Sequence, residues 1–419
     1  MRTRRFGTIG VVGGLLAMAA CGRSGEIEVN RGVFTDSRIV DAAADVGLHA
    51  DLELKFPGGG GNQTGTPSAS DQANVPAIAY YDVTNGDLKF AELLPNGQWE
   101  IEVVDDRGDV GSFADLDFDS FNNPHIAYYD VSNQALKYAF NNGFEWVRRT
   151  LDVPTGVIEG HITLQLDQND VSHMAVIGAG RFNLEYLIYD SEADVLGGAV
   201  VDNGVILTGR GGNINQRTAL RLREIGGEQL PVIGYYQASF GILTISWMQR
   251  TPSGSLSFIQ PEVVDGTGAD NDPDIGQFAD MVLEDDRIAH FSYYDATNQD
   301  VKYARFDMEQ NLAESEVVDS EGIVGQTSSI ALFPPFRPNS SDPAESAVRP
   351  AISYFDGTNN DLKLALRAAN AQRWQRFRVD LSGVVGTFSS MKLLPDENLG
   401  IAYRSTTQQA LKFTTVRAN

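Results

Sequence analysis

The chain is short of several things that chemistry needs. It has one Cys in 419 residues, which excludes an intrachain disulfide and a thiolate zinc cluster. Five His leave little for nitrogen-rich metal sites. Basic residues are scarce, 32 Lys and Arg against 56 Asp and Glu, a formal charge of −24. Phosphate binding needs a basic footprint, so nucleic acid is excluded as a partner. No Gly-rich phosphate loop opens a helix, no nucleophile elbow occurs, and no Ser/His/Asp set is readable. After residue 20 no run approaches the 18 apolar residues of a membrane span. What is plentiful is hydrophobic content, 42%, and Gly, 42 residues, which suit a large folded body full of turns.

The N-terminus reads as an address. MRTRR is followed by FGTIGVVGGLLAMAA and then Cys21: a basic region, an apolar stretch, and small residues before a cleavage point. Met18-Ala19-Ala20-Cys21 resembles the lipobox of bacterial lipoproteins, with Met18 where Leu is usual. That resemblance implies a signal peptide over 1–20, a lipid on Cys21 and a tether over 21–31. It also implies a place in the bacterial cell envelope. Gly22 in place of the inner-membrane retention Asp favours the outer membrane or cell surface. The other reading is an ordinary secretory signal with an incidental Cys. The mature chain would carry 29 basic and 56 acidic residues. Such a body is repelled by an anionic bilayer, so the lipid alone makes the membrane a partner.

A repeat accounts for the rest. PAIAYYD at 76–82 recurs as PHIAYYD at 124–130, AHFSYYD at 289–295 and PAISYFD at 350–356. An Asn follows at 85, 133, 298 and 359, then an apolar residue and Lys at 88–89, 136–137, 301–302 and 362–363. The step from Ala77 to Leu88 is 11 residues. It recurs from His125 to Leu136, His173 to Leu184, Val232 to Leu243, His290 to Val301, Ala351 to Leu362 and Gly400 to Leu411. Each copy reads as four short strands rich in β-formers, bounded by Asp, Asn, Ser and Gly. Four strands every 48 to 61 residues predict an all-β, seven-bladed β-propeller of antiparallel blades over 32–419. Innermost strands are expected near Ala50, Ala114, Ile162, Ala219, Ala279, Ser329 and Ser389. The last copy lacks a fourth strand, and GVFTDSRIVD at 32–41 matches one. The N-terminal strand is therefore expected to close the seventh blade and hide the sheet edges.

The repeats resemble those of Asp-box (BNR, sialidase-like) propeller proteins. Asn96-Gly97-Gln98-Trp99 and Asn142 to Trp146 occupy the turn where an Asp box would lie, without its Ser and Asp. The resemblance implies the fold. The family's catalytic roles do not carry over, because no Arg cluster, Tyr nucleophile or acid Asp stands at matching positions.

Several residue sets invite a functional reading beside a structural one. The Tyr pairs at 80–81, 128–129, 235–236 and 293–294 suit sugar stacking or blade packing. Asp82 with Asn85, Asp130 with Asn133, Asp295 with Asn298 and Asp356 with Asn359 form a top-face pocket or simply make turns, with Lys pairing across strands. His125, His173 and His290 share one repeat position, on blades that are not all neighbours. Asp51, Asp115 and Asp280 share another, with Thr163, Ser329 and Ser390 in other blades. Facing the central channel, these oxygens would hold Ca²⁺ or water. Asp265, Asp270, Asp272 and Asp274 form a looser Ca²⁺ candidate without EF-hand spacing. No other cofactor and no catalytic residue is implied. The reading is a monomeric, lipid-anchored envelope module that binds polysaccharide or protein. The alternative is a glycan-active enzyme, a glycosidase or lyase, on the same fold.

Overall fold

The computed structural model describes residues 33–55, 75–153, 160, 162–178, 183–203, 217–268, 273–335, 347–367 and 373–418. Signal peptide, Cys21, tether, Asp270 and Asp272 lie outside them. Among the described residues there is no helix, and the strands form seven antiparallel sheets. Six of them take their strands in chain order, and the seventh is closed across the termini. There β1 (Val33–Asp41) pairs with β29 (Ala410–Ala418), outside β28 (Leu399–Ser405) and β27 (Val385–Leu393). The seven-bladed propeller and its closure are as the repeat predicts.

Strand position within a blade explains each strand's composition. The second strand, such as Pro124–Asp130, is buried along its whole length because neighbouring blades cover both its faces. It therefore reads as a continuous apolar run rather than an alternating one. The outer strand, such as Trp99–Asp105, is exposed over its middle and carries charge there. In the fourth blade the outer strand is split into Leu256–Phe258 and Glu262–Asp265, and Pro261, which has no N–H for the ladder, stands in the break.

The core is distributed. Among the described residues seven apolar clusters occur, one at each seam between adjacent blades. Aromatic wedges recur in them: Trp146 packs edge-on against Phe90 of the preceding blade, Trp99 against Phe413 and Trp374 against Tyr303. Such pairs add roughly 0.5–1.5 kcal/mol each beyond area burial.

A polar lock sits over the top of most seams. Lys89 lies between Asp82 of its own blade, 3.0 Å away, and Asp41 of the preceding one, 3.1 Å away. Tyr80 donates its hydroxyl to the same Asp41 at 2.8 Å. The arrangement returns as Lys137 and Tyr128 on Asp105, and as Lys302 and Tyr293 on Asp265. Lys363 and Tyr354 share Asp319, and Lys412 and Tyr403 share Asp380. At the third-to-fourth seam Asp202 keeps Tyr235 and takes Gln237. The lysines thus join blades as well as the strands of one blade. Burial opposes the charge on Asp41, Asp105, Asp319 and Asp380, but these ammonium and hydroxyl donors outweigh it. All four carboxyls lie below the usual range, Asp380 at about 2.

Candidate functional site

The seven innermost strands surround a channel. Their inner edges leave backbone N–H groups with no further strand to pair, and side chains from the neighbouring blade accept many of them. Leu116 N–H donates to Asp51 at 3.0 Å, Ile330 N–H to Asp280 at 3.0 Å and Met391 N–H to Ser329 Oγ at 3.2 Å. One level further down, Leu166 N–H donates to Asp117 at 2.6 Å and Leu222 N–H to Gln165 at 2.8 Å. Polar residues on the inner strand are thus partly a consequence of its being an edge.

At the entry end the channel is nearly closed. The inner strands begin with Val-Gly-x-Phe-like segments in which Gly47, Gly111, Gly276, Gly325 and Gly386 have positive φ. Gly111 has φ 105°, and a Cβ there would lie 2.7 Å from the Leu88 backbone. The bulge turns the residue two positions on toward the axis. His49, Phe113, Phe278, Thr327 and Phe388, also at positive φ, and Arg217 leave about 20 Å³ between them. His49 stacks on Phe113 at 3.9 Å between centroids, and its Nδ1 accepts the Phe113 N–H at 3.1 Å. Burial, with Arg217 and Arg404 nearby, lowers the His49 pKa to about 3, so the ring is neutral.

Below this plug lies a cavity of about 440 Å³. Its first ring contains Asp51, Asp115, Thr163, Asp280, Ser329 and Ser390, so the repeat position picked out in the sequence does line the channel. The next ring is Glu53, Asp117, Gln165, Arg221, Val282, Ala331 and Lys392. The cations are committed in part. Arg221 pairs with Asp280 at 3.3 Å, and Lys392 pairs with Glu53. Arg217 donates to the Ser328 carbonyl at 3.0 Å. Asp115 and Asp117 of the second blade have no ion pair among the described residues, and Asp115 makes no hydrogen bond there.

The wall is electrostatically lopsided. Burial pushes Asp280 up, but Arg221 and Arg217 outweigh it and hold it below the usual range. Burial and the Asp51 charge push Asp115 well up. Burial and Glu53 take Asp117 to about 7. Burial also raises Asp51, against the pull of Lys392. The wall therefore offers carboxyl and carboxylate oxygens on blades one and two, and guanidinium donors on blade four.

The other sequence candidates are placed elsewhere. Asp82, Asp130, Asp295 and Asp356 are buried and accept backbone N–H groups of their own turns. Asn85, Asn133, Asn298 and Asn359 donate side-chain N–H to them at 2.8–2.9 Å. The eight Tyr of the pairs lie in the core. His125, His173 and His290 each meet a Tyr hydroxyl of their own blade, Tyr138, Tyr186 and Tyr303, at 2.5–2.6 Å. Asp265 is held by Tyr293 and Lys302, and Asp274 by Tyr236 and Gln277. No group of three or more His, Cys, Asp or Glu suited to a metal occurs among the described residues. The plug residues and the Glu53–Lys392 ring are not among the sequence candidates. The fivefold Val-Gly-x-Phe-like segment at 46–49, 110–113, 275–278, 324–327 and 385–388 was the signal for the plug.

No protein-family model matches the chain, and no curated protein matches it. Among solved structures it is similar to fungal lectins of Aleuria aurantia. A mutant in complex with Fucα1-6GlcNAc has a TM-score of 0.42 at 10% identity, over 73% of this chain and 95% of that one. The fucose-specific lectin has 0.42 at 11% identity, over 70% and 86%. The fungal lectin described as a six-bladed β-propeller has 0.41 at 10%, over 70% and 88%. These are lectins and not Asp-box proteins, and this chain has seven blades.

Proposed function

We propose that the protein is a binding module of the bacterial envelope, anchored through lipid on Cys21, whose channel receives one hydroxyl-rich unit of a polysaccharide. The cavity wall supports this reading. Around about 440 Å³ it sets acceptors (Asp115, Asp117) beside donors (Arg217, Arg221, Thr163, Ser390). A sugar hydroxyl both donates and accepts, and it needs such mixed partners in a space of this size. Val33 lies at the end of the ring where the inner strands finish, so the tether leaves from the face bearing the charged ring. Twelve residues from Cys21 to Val33 reach at most ~40 Å, which keeps the ligand close to the membrane.

The test is an array of glycans and envelope polysaccharides probed with residues 22–419, with and without Ca²⁺, beside Asp115→Asn and Arg221→Gln. Saturable binding that both variants weaken supports the module. Silence on the array, with a protein captured from the parent envelope instead, replaces polysaccharide by a protein partner. Cys21→Ser should move the protein from the membrane fraction to the soluble one. A second reading, a glycan-active enzyme, draws on Asp117, whose carboxyl titrates near 7 as a general acid's should. Polysaccharide turnover that Asp117→Asn abolishes would establish it.

A further inference from the structure

The charges around the channel cavity do not balance. Five acids and three bases line it. Arg221 is taken by Asp280, and Lys392 by Glu53. Arg217, on the fourth blade, gives its guanidinium to the Ser328 carbonyl of the sixth at 3.0 Å. Asp51, Asp115 and Asp117 remain, on the adjacent first and second blades, and form no ion pair among the described residues. Asp117 follows Asp115 on the same face of one strand. Asp51 and Asp117 accept the Leu116 and Leu166 N–H groups, whereas Asp115 accepts nothing among the described residues. Asp51 and Asp115 lie directly below the plug, since both line its gap as well as the cavity.

Five seams show how this chain treats a buried Asp, because each sets a lysine ammonium against it. Among the described residues no ammonium does so for Asp115. Two neighbouring carboxyls shut in one cavity cannot both ionise without cost, and the Asp51 charge, added to burial, pushes Asp115 well up. Without a ligand the wall answers by holding protons. A ligand can answer with a cation instead. A metal ion is a poor match, because no group of three or more His, Cys, Asp or Glu suited to one occurs among the described residues. An ammonium needs less convergence: two carboxylates at hydrogen-bond distance suffice, and such charge-assisted bonds are about twice as strong as neutral ones. Its carrier must also suit the rest of the wall, where Thr163, Ser329 and Ser390 offer hydroxyl oxygens and Arg221 a guanidinium.

We propose that the unit received by the channel is an amino sugar with a free, protonated amine. Its ammonium lies against Asp115, between Asp51 and Asp117, and its hydroxyls face Thr163 and Arg221. This rests on the reading of the channel as a glycan site and narrows it. Free amines rank above N-acetylated units, which lack the charge, and above uronic acids, which carry the opposite one.

Residues 22–419 are titrated at about pH 6, where the sugar amine is charged, with D-glucosamine, N-acetyl-D-glucosamine and D-glucuronate, and with the tetrasaccharides of chitosan and chitin, by NMR and by calorimetry. The amines should bind saturably, the acetylated sugars at least about tenfold more weakly, and glucuronate not at all. Holding the ammonium requires ionised carboxyls, so amine binding should release protons, read as a dependence of the binding heat on the ionisation enthalpy of the buffer. Asp115→Asn should lose about tenfold or more in amine affinity and part of that proton release, while melting no lower than the parent. Equal or tighter binding of the acetylated or acidic sugar overturns the free amine and leaves the channel as a glycan site. Amine binding without proton release overturns it too, and so does unchanged amine affinity in folded Asp115→Asn. No amine binding at millimolar concentration also overturns it. The glycan reading then stands if another glycan of the array binds and Asp115→Asn weakens that binding, and it falls if none does.

Discussion

Aspartates occur in two buried settings here, and their carboxyls move in opposite directions. In the seams Asp105 and Asp380 receive a Lys ammonium and a Tyr hydroxyl, which hold them ionised below the usual range. In the channel Asp115 and Asp117 form no ion pair among the described residues and are pushed up. Burial raises both sets. The difference is the partner, and it separates a repeated fastening from a surface left open to a ligand. The seams differ as well: five hold a Lys against the bridging Asp, and between the second and third blades Leu151 stands opposite Leu136 where the first blade sets Asp105 opposite Leu88.

The strongest way to break this comparison is to remove one partner. Asp105→Asn leaves Lys137 buried without its closest carboxylate and should cost about 3–5 kcal/mol in chemical denaturation. Asp152→Asn, at an exposed aspartate on a seam without a lysine, should cost under about 0.5 kcal/mol. Equal losses would refute the lock. Gly111→Ala demands a left-handed backbone and a Cβ against Leu88, and it should cost about 1–3 kcal/mol.

Titration sharpens the contrast. The seam carboxyls lie below their unfolded values, so the stability they contribute is present above about pH 4 and is lost as the pH falls toward about 2 for Asp380. Neutral His49, lowered to about 3, adds a loss as the pH falls from about 6.5 toward 3. Asp117 works the other way. Its folded pKa of about 7 exceeds the unfolded one, so its contribution is full below about pH 4 and is lost as the pH rises through 7. Asp117→Asn should thus melt a few degrees higher than the parent at pH 8 and no higher at pH 4. A parent-minus-variant difference that is flat with pH would contradict this. The smallest effect is expected from Asp115→Asn, which changes thermal stability little at pH 5 while altering ligand binding.

Much of this was legible in the residues. The 11-residue step predicts the second and third strands of every blade, including copies that have lost PAIAYYD. The missing last strand together with VFTDSRIVD predicts the closure. Asp51, Asp115 and Asp280, which share one repeat position, lie on the cavity wall. The Asp82–Asn85–Lys89 set is readable as turn chemistry, but half of its meaning is not. The partner of Lys89 is Asp41, 48 residues away on another blade, and no local pattern joins them.

By itself the sequence determined the repeat, the strand order and the ring, because these follow from local β-propensity, turn residues and a period that the chain carries along its length. Tertiary structure alone decided which carboxylates meet a cation and where the axis is plugged. Those outcomes depend on groups from adjacent blades being brought within about 3 Å, where ammonium and hydroxyl donors outweigh the cost of burial.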